Sequence, residues 1–230
     1  MKKPIFYREL AYGAGMLLLA LGTALTAFGD LGLSQVVAPA YILYIKVSQS
    51  LPWFTFGMGE LALQLFVLVL LVPVLRKFRS GWLLSFASAF LYGLVLDGFM
   101  TLTELLPRLL WLRLGSFAVG TLLCSLGIAF LFRTYLPPAA YELFVKEVAA
   151  CFRLPVTRVK TVYDIVSCLV AVGMSFLLLG KLEGVGIGTL ICAALNGLLI
   201  RLAGKGLDGM FTFTDRFPKR KFLKESEEPV

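Results

Sequence analysis

The stretch Ser34-Gln-Val-Val-Ala-Pro-Ala-Tyr-Ile-Leu-Tyr-Ile-Lys-Val-Ser-Gln-Ser50 decides the fold. It is mostly apolar, yet it carries Gln35, Pro39, Lys46, Ser48 and Gln49. A lipid-facing helix needs about 20 predominantly apolar residues to cross a bilayer. A lysine at mid-bilayer costs about 2.5–3.5 kcal/mol on insertion scales. The segment is therefore expected to lie at the interface, or to dip part-way in against protein, without crossing.

Working outward, the runs on either side do cross. Leu10 to Phe28 precedes the segment and Phe54 to Leu75 follows it. Four more runs have the same character: Trp82 to Met100, Trp111 to Phe132, Val162 to Leu179 and Val185 to Ala203. The first follows Met1-Lys-Lys and could pass for a signal peptide, but its length suits a retained span. A second short segment, Pro137 to Phe152, puts Tyr141, Phe144, Val145, Val148 and Phe152 on one helical face and Glu142 and Lys146 on the other. Pro137 and Pro138 mark its start.

Composition agrees with this division. Of 230 residues, 59% are hydrophobic and 16% charged, against about 45–50% and about 25% in soluble domains. The predicted fold class is all-α, a polytopic membrane helix bundle with six transmembrane helices and two short interfacial or re-entrant ones. The net charge of +8 comes from Lys and Arg in the gaps between apolar runs, which fits loops facing an anionic leaflet better than nucleic acid. Cys124, Cys151, Cys168 and Cys192 form no CxxC pair and are expected to act as small packing residues. Histidine is absent, so proton chemistry falls to carboxylates.

The chain repeats itself. Gly15-Met-Leu-Leu-Leu-Ala-Leu-Gly22 resembles Gly120-Thr-Leu-Leu-Cys-Ser-Leu-Gly127, and Leu51-Pro52 returns as Leu154-Pro155. Glu60 falls opposite Asp164, and Ser85 to Asp97 matches Thr189 to Arg201. Residues 1–105 then form one repeat, 106–209 a second, and 210–230 a basic, mobile tail. With three crossings per repeat, the second is inverted. An internal N-terminus leaves only Lys46, Arg108, Arg113 and Lys181 outside; both termini are expected in the cytoplasm. If the short segments crossed, Arg76-Lys77-Phe78-Arg79 would lie outside.

Two glycine-rich motifs, Gly29-Asp-Leu-Gly-Leu-Ser34 and Glu183-Gly-Val-Gly-Ile-Gly-Thr189, resemble those of the YczE/YitT-type bacterial membrane proteins. Gln35 departs from that pattern, where a proline or small residue usually follows. The resemblance implies a multipass protein of the bacterial plasma membrane. It brings no settled substrate or catalytic residue.

Glu60 and Asp164 are the first candidates for function. Ionisable groups inside a span usually face a bundle interior or water. They either bind a coupling cation, a proton or a cationic part of a substrate, or they reach headgroup water or pair with Lys46, Arg133 or Lys160. Asp30, between Gly29 and Gly32, either caps a loop or marks a broken helix end that presents dipoles to a substrate. Asp97, whose repeat partner is Arg201, reads more simply as reaching an interface. Gln64, Asn196 and Tyr92 either line a cavity or hydrogen-bond between helices. Gly184-Val-Gly-Ile-Gly-Thr189 lacks the strand and the Lys-Ser/Thr of a phosphate loop, and close helix packing suits it better.

No catalytic set and no metal or cofactor motif stands out, so an enzyme is not expected. Inverted-repeat transporters share the expected architecture. The expected function is secondary transport of a small molecule. The alternatives are a non-transporting membrane partner or regulatory protein, and less readily a membrane-embedded enzyme.

Overall fold

A computed structural model describes residues 3–76, 82–134 and 139–215. The chain opens with strand β1 (Ile5–Tyr7) and then helices α1 (Arg8–Gly29), α2 (Ala38–Ser48), α3 (Phe56–Leu75) and α4 (Trp82–Glu104). Helices α5 (Leu110–Leu131), α6 (Ala140–Cys151), α7 (Val156–Met174) and α8 (Ile187–Met210) follow, and strand β2 (Thr212–Thr214) comes last. A π-helical turn over Ser175–Leu179 extends α7. Six helices, α1, α3, α4, α5, α7 and α8, are long and apolar enough to cross a membrane. The chain is an integral, multipass membrane protein. The loop Lys77 to Arg79, the Pro137-Pro138 pair and the tail beyond residue 215 lie outside the described residues.

The core is a crossing of α1 with α5, and glycine makes it possible. A Cβ on Gly15 would stand 2.9 Å from the Gly127 carbonyl oxygen, and one on Gly22 would stand 2.7 Å from that of Gly120. Gly29 meets Phe117 and Arg113 in the same way. These pairings ascend along α1 while they descend along α5, so the two helices run antiparallel. The Gly15–Gly22 block thus packs on the Gly120–Gly127 block that resembles it in sequence. Backbones that approach this closely are held by dispersion and by the loss of lipid from between them.

Other contacts fall into matched pairs. Helix α1 packs on α4 as α5 packs on α8; α2 packs on α3 as α6 packs on α7; α3 packs on α6 as α7 packs on α2. The pairing fails at the α3–α4 seam and at the smaller α4–α6 contact. Helices α3 and α4 pack tightly, with Gly57 against Gly93. Gly197, which occupies the place of Gly93 in the second half, has nothing within 4 Å of its Cβ position.

The short helices do not cross. At about 1.5 Å per residue, α2 and α6 reach about 17 and 18 Å, against about 30 Å of hydrocarbon. Val36, just before α2, joins Ala139 and Tyr141, at the start of α6, in one cluster with Val67. Val67 stands near the middle of α3. From there α2 runs toward the start of α3, with Tyr44 against Phe56, and α6 runs toward its end, with Val148 in the Leu71–Leu75 cluster. Both are re-entrant, and their N-termini meet. The buried side of α6 differs from the expected face. Tyr141 and Val145 are buried together with Leu143 and Glu147, whereas Phe152 is 57% exposed. Helix α6 is embedded on several sides by α3, α4 and α7, which a one-sided amphipathic pattern does not anticipate.

At the end where α1 starts, β1 and β2 pair in parallel, Phe6 with Phe213. Phe6, Phe130, Phe211 and Phe213 form an aromatic cluster beneath them. The first residues of the expected mobile tail are thus folded back as a strand.

Candidate functional site

Glu60 sits one turn into α3, behind a helix start held from two sides. The Thr55 hydroxyl accepts from the Met58 N–H and donates to Asp97 Oδ2 at 2.7 Å. The Gly57 N–H donates to Asp97 Oδ1 at 2.7 Å. Asp97 therefore clamps the start of α3 to α4. Asp97→Ala is expected to destabilise the protein by about 1.5–3 kcal/mol, the usual worth of a hydrogen bond to a charged group. Thermal unfolding in detergent measures this, and an unchanged midpoint contradicts the clamp.

With α3 fixed, Glu60 points into the meeting place of the re-entrant helices and is 0% exposed. Tyr141, in the first turn of α6, donates its hydroxyl to Glu60 Oε2 at 2.9 Å. Gln64, one turn further along α3, donates to the same oxygen at 3.3 Å. The other end of the Gln64 amide accepts from the Ala140 N–H at 3.2 Å, which caps α6. Glu60 Oε1 is buried with no hydrogen-bond partner among the described residues. Buried carboxylate oxygens are rarely left so, because an unmet acceptor costs about 1–3 kcal/mol and more when charged.

Glu142, beside Tyr141, has a buried Oε2 with no partner among the described residues. Gln35, just before α2 and next to Val36 of the shared cluster, is 7% exposed, and its Oε1 likewise lacks a partner among the described residues. Tyr163 on α7 packs its ring 6.4 Å from that of Tyr141 and 5.6 Å from that of Phe144. Next to it, Asp164 takes an ion pair from Lys160 Nζ at 2.9 Å, and the same ammonium lies 5.9 Å from the Tyr163 ring. A file of side chains thus runs from Glu60 through Tyr141 and Tyr163 to Asp164. A carboxylate with one open oxygen, flanked by hydroxyl and amide groups, can hold a proton or a cation.

The structure brings Glu60 and Gln64 together and leaves Asp164 at the far end of the file, paired with Lys160. Asp30 stands elsewhere. It ends α1 with φ 52° and its N–H donates to the Ala27 carbonyl, while its carboxylate meets Arg113 at 2.7 Å. Tyr92 is buried and donates to the Thr23 hydroxyl at 2.9 Å, tying α4 to α1. Asn196 is half-buried on α8, and its Oδ1 has no partner among the described residues. Tyr141, Gln35 and Glu142 were not singled out from sequence as site residues. A tyrosine opening a short helix after two prolines was the available signal.

The glycine motifs also meet. Leu33 donates its N–H to the Gly184 carbonyl at 3.0 Å, and Gly188 donates to that of Leu31 at 2.7 Å. Gly32 has φ 103°, and a Cβ there would stand 2.5 Å from the Gly186 nitrogen. Only glycine gives that approach and that conformation together. The motif before α8 therefore anchors the linker that leads down to Gln35 and α2.

Among the described residues no group of His, Cys, Asp and Glu could hold a metal ion, and the four cysteines are free. No curated protein and no solved structure matches the chain. The model of a family of unknown function, DUF6198, matches residues 6–205, from within β1 into the last turns of α8, and the chain belongs to that family.

Proposed function

We propose that the chain is a secondary transporter of a small molecule, with Glu60 as the residue that takes the coupling proton or cation, or a cationic part of the substrate. The observation that carries this reading is a carboxylate buried at the meeting of two half-length helices, with one oxygen unmet. In transporters built from inverted repeats, sites lie near mid-membrane at the repeat interface and are formed by broken or half-length helices. The antiparallel α1–α5 crossing and the matched contacts support a division into residues 1–105 and 106–209 with opposite orientation. The charge asymmetry supports cytoplasmic termini in a bacterial inner membrane. The resemblance to YczE/YitT-type proteins rests on two motifs that pack on one another. Asp164, held by Lys160, acts as the exit or entry partner at the other end of the tyrosine file.

The test is flux in proteoliposomes under an imposed pH or sodium gradient, screened over cationic and neutral small molecules. Wild type is expected to accumulate its substrate, Asp164→Asn to slow this, and Glu60→Gln to reduce it by about a hundredfold. Flux in Glu60→Gln equal to wild type removes the reading. Orientation has its own check. In a cysteine-free chain, a cysteine at position 50 is expected to react with an impermeant maleimide from outside intact cells, and one at position 134 only after lysis. The complete burial of Glu60 favours a second reading, a closed structural partner of another membrane protein. Absence of flux with every gradient, together with co-purification of a stoichiometric partner, selects it.

A further inference from the structure

The end of the molecule that carries β1 and β2 holds an open pocket of about 510 Å³. Lys3, Arg8, Arg133, Asp208 and Phe213 are among the residues that line it. Its charges are not equivalent. Arg133 spends four of its five donors: Nε and Nη2 donate to the two Asp208 oxygens at 2.6 Å, and Nη1 and Nη2 donate to the Ala129 and Gly204 carbonyls. It builds the wall and neutralises Asp208. Lys3 spends one of its three donors on the Asp208 carbonyl, at 2.6 Å. Arg8 pairs through Nη1 with Asp215 at 3.1 Å, so its other Nη keeps donors to spare. Among the described residues, two cations with donors to spare thus line a cavity whose one lining carboxylate is already matched, above an aromatic floor.

The geometry points to a binding site for a phosphate group carried on a glycerol-sized molecule. Guanidinium and ammonium donors suit phosphate oxygens. The pocket lies where α1 begins and α5 and α8 end, the end that the charge distribution places inside, at the level of anionic headgroups. Two sources offer this chemistry, the headgroup of an anionic phospholipid and a soluble phosphate ester. This site is separate from Glu60 and does not rest on the transport reading.

Native mass spectrometry of the full chain, released from micelles containing dioleoylphosphatidylglycerol or dioleoylphosphatidylcholine, tests it. Retention of one phosphatidylglycerol and no phosphatidylcholine is expected. Arg8→Gln and Lys3→Gln are each expected to weaken retention about fivefold, the effect of one basic residue at an anionic surface. Lys3 is exposed, so its replacement leaves folding intact even if that of Arg8 does not. Glycerol 3-phosphate, added to lipid-free detergent micelles, is the second arm. Binding of that ester in an Arg8-dependent manner, without selective lipid retention, assigns the site to a soluble phosphate. Equal retention of both lipids with no ester binding, or retention unchanged in both variants, overturns the site.

Discussion

Gly57→Ala is expected to disrupt the α3–α4 seam and to lower the unfolding temperature in detergent markedly. The added Cβ would stand 2.1 Å from the Gly93 carbonyl oxygen, 2.6 Å from Asp97 Oδ2 and 2.7 Å from the Gly93 carbonyl carbon. Two of these three atoms belong to a helix backbone, which cannot rotate away as a side chain does. Overpacking commonly costs about 1–3 kcal/mol, and a backbone clash belongs at or above the top of that range. The change also pushes Asp97 off the Gly57 N–H. The comparison is Gly197→Ala, at the counterpart of Gly93, where nothing lies within 4 Å. There the better helix propensity of alanine is expected to leave stability equal or slightly higher, by up to about 1 kcal/mol. If the two variants melt together, the asymmetry between the halves is wrong.

Glu60→Gln is expected to keep the fold and to reduce coupled flux by about a hundredfold, since a charge-assisted contact is worth about 1.5–3 kcal/mol and each 1.4 kcal/mol is about tenfold. The amide keeps the shape and an oxygen that can accept from Tyr141, but it cannot take up a proton or neutralise a cation. Glu60→Leu separates the structural part. It leaves the Tyr141 hydroxyl and the Gln64 amide buried without their acceptor, at about 1–3 kcal/mol for each. Flux and unfolding midpoint, measured on the same preparations, are expected to move independently: flux alone in Glu60→Gln, both in Glu60→Leu. A large loss of stability in Glu60→Gln with flux retained per folded molecule inverts the assignment.

The six spans and the two short helices were legible because each is a local pattern. Length and apolarity mark α3 or α5 without reference to anything else in the chain, and Lys46 or Glu142 marks a segment that does not cross. The glycine blocks were legible for a related reason: Gly15 and Gly22 recur in sequence as Gly120 and Gly127, and the two blocks pack on each other. Glu60 and Gln64 stood out as polar groups on an apolar helix. What was not legible was long-range. Tyr141 reads as one more apolar residue of an amphipathic face until α6 is folded back against the middle of α3. The partners of Asp97, Thr55 and Gly57, could not be read because they lie across a helix boundary. The sheet was invisible because three-residue strands carry no periodicity, and its partner strands are about 200 residues apart.

That separation orders the making of the protein in time. At roughly 5–20 residues per second of synthesis, Ile5 to Tyr7 emerge roughly 10–40 s before the segment they bind. Through that interval the leading strand offers unpaired backbone groups beside Phe6, and the aromatic cluster lacks Phe211 and Phe213. Helix α8 must be laid into the bilayer before the two strands can join, so the clasp closes only after all six spans are in place, and a chain halted short of residue 212 leaves the membrane insertion machinery with its first strand still bare.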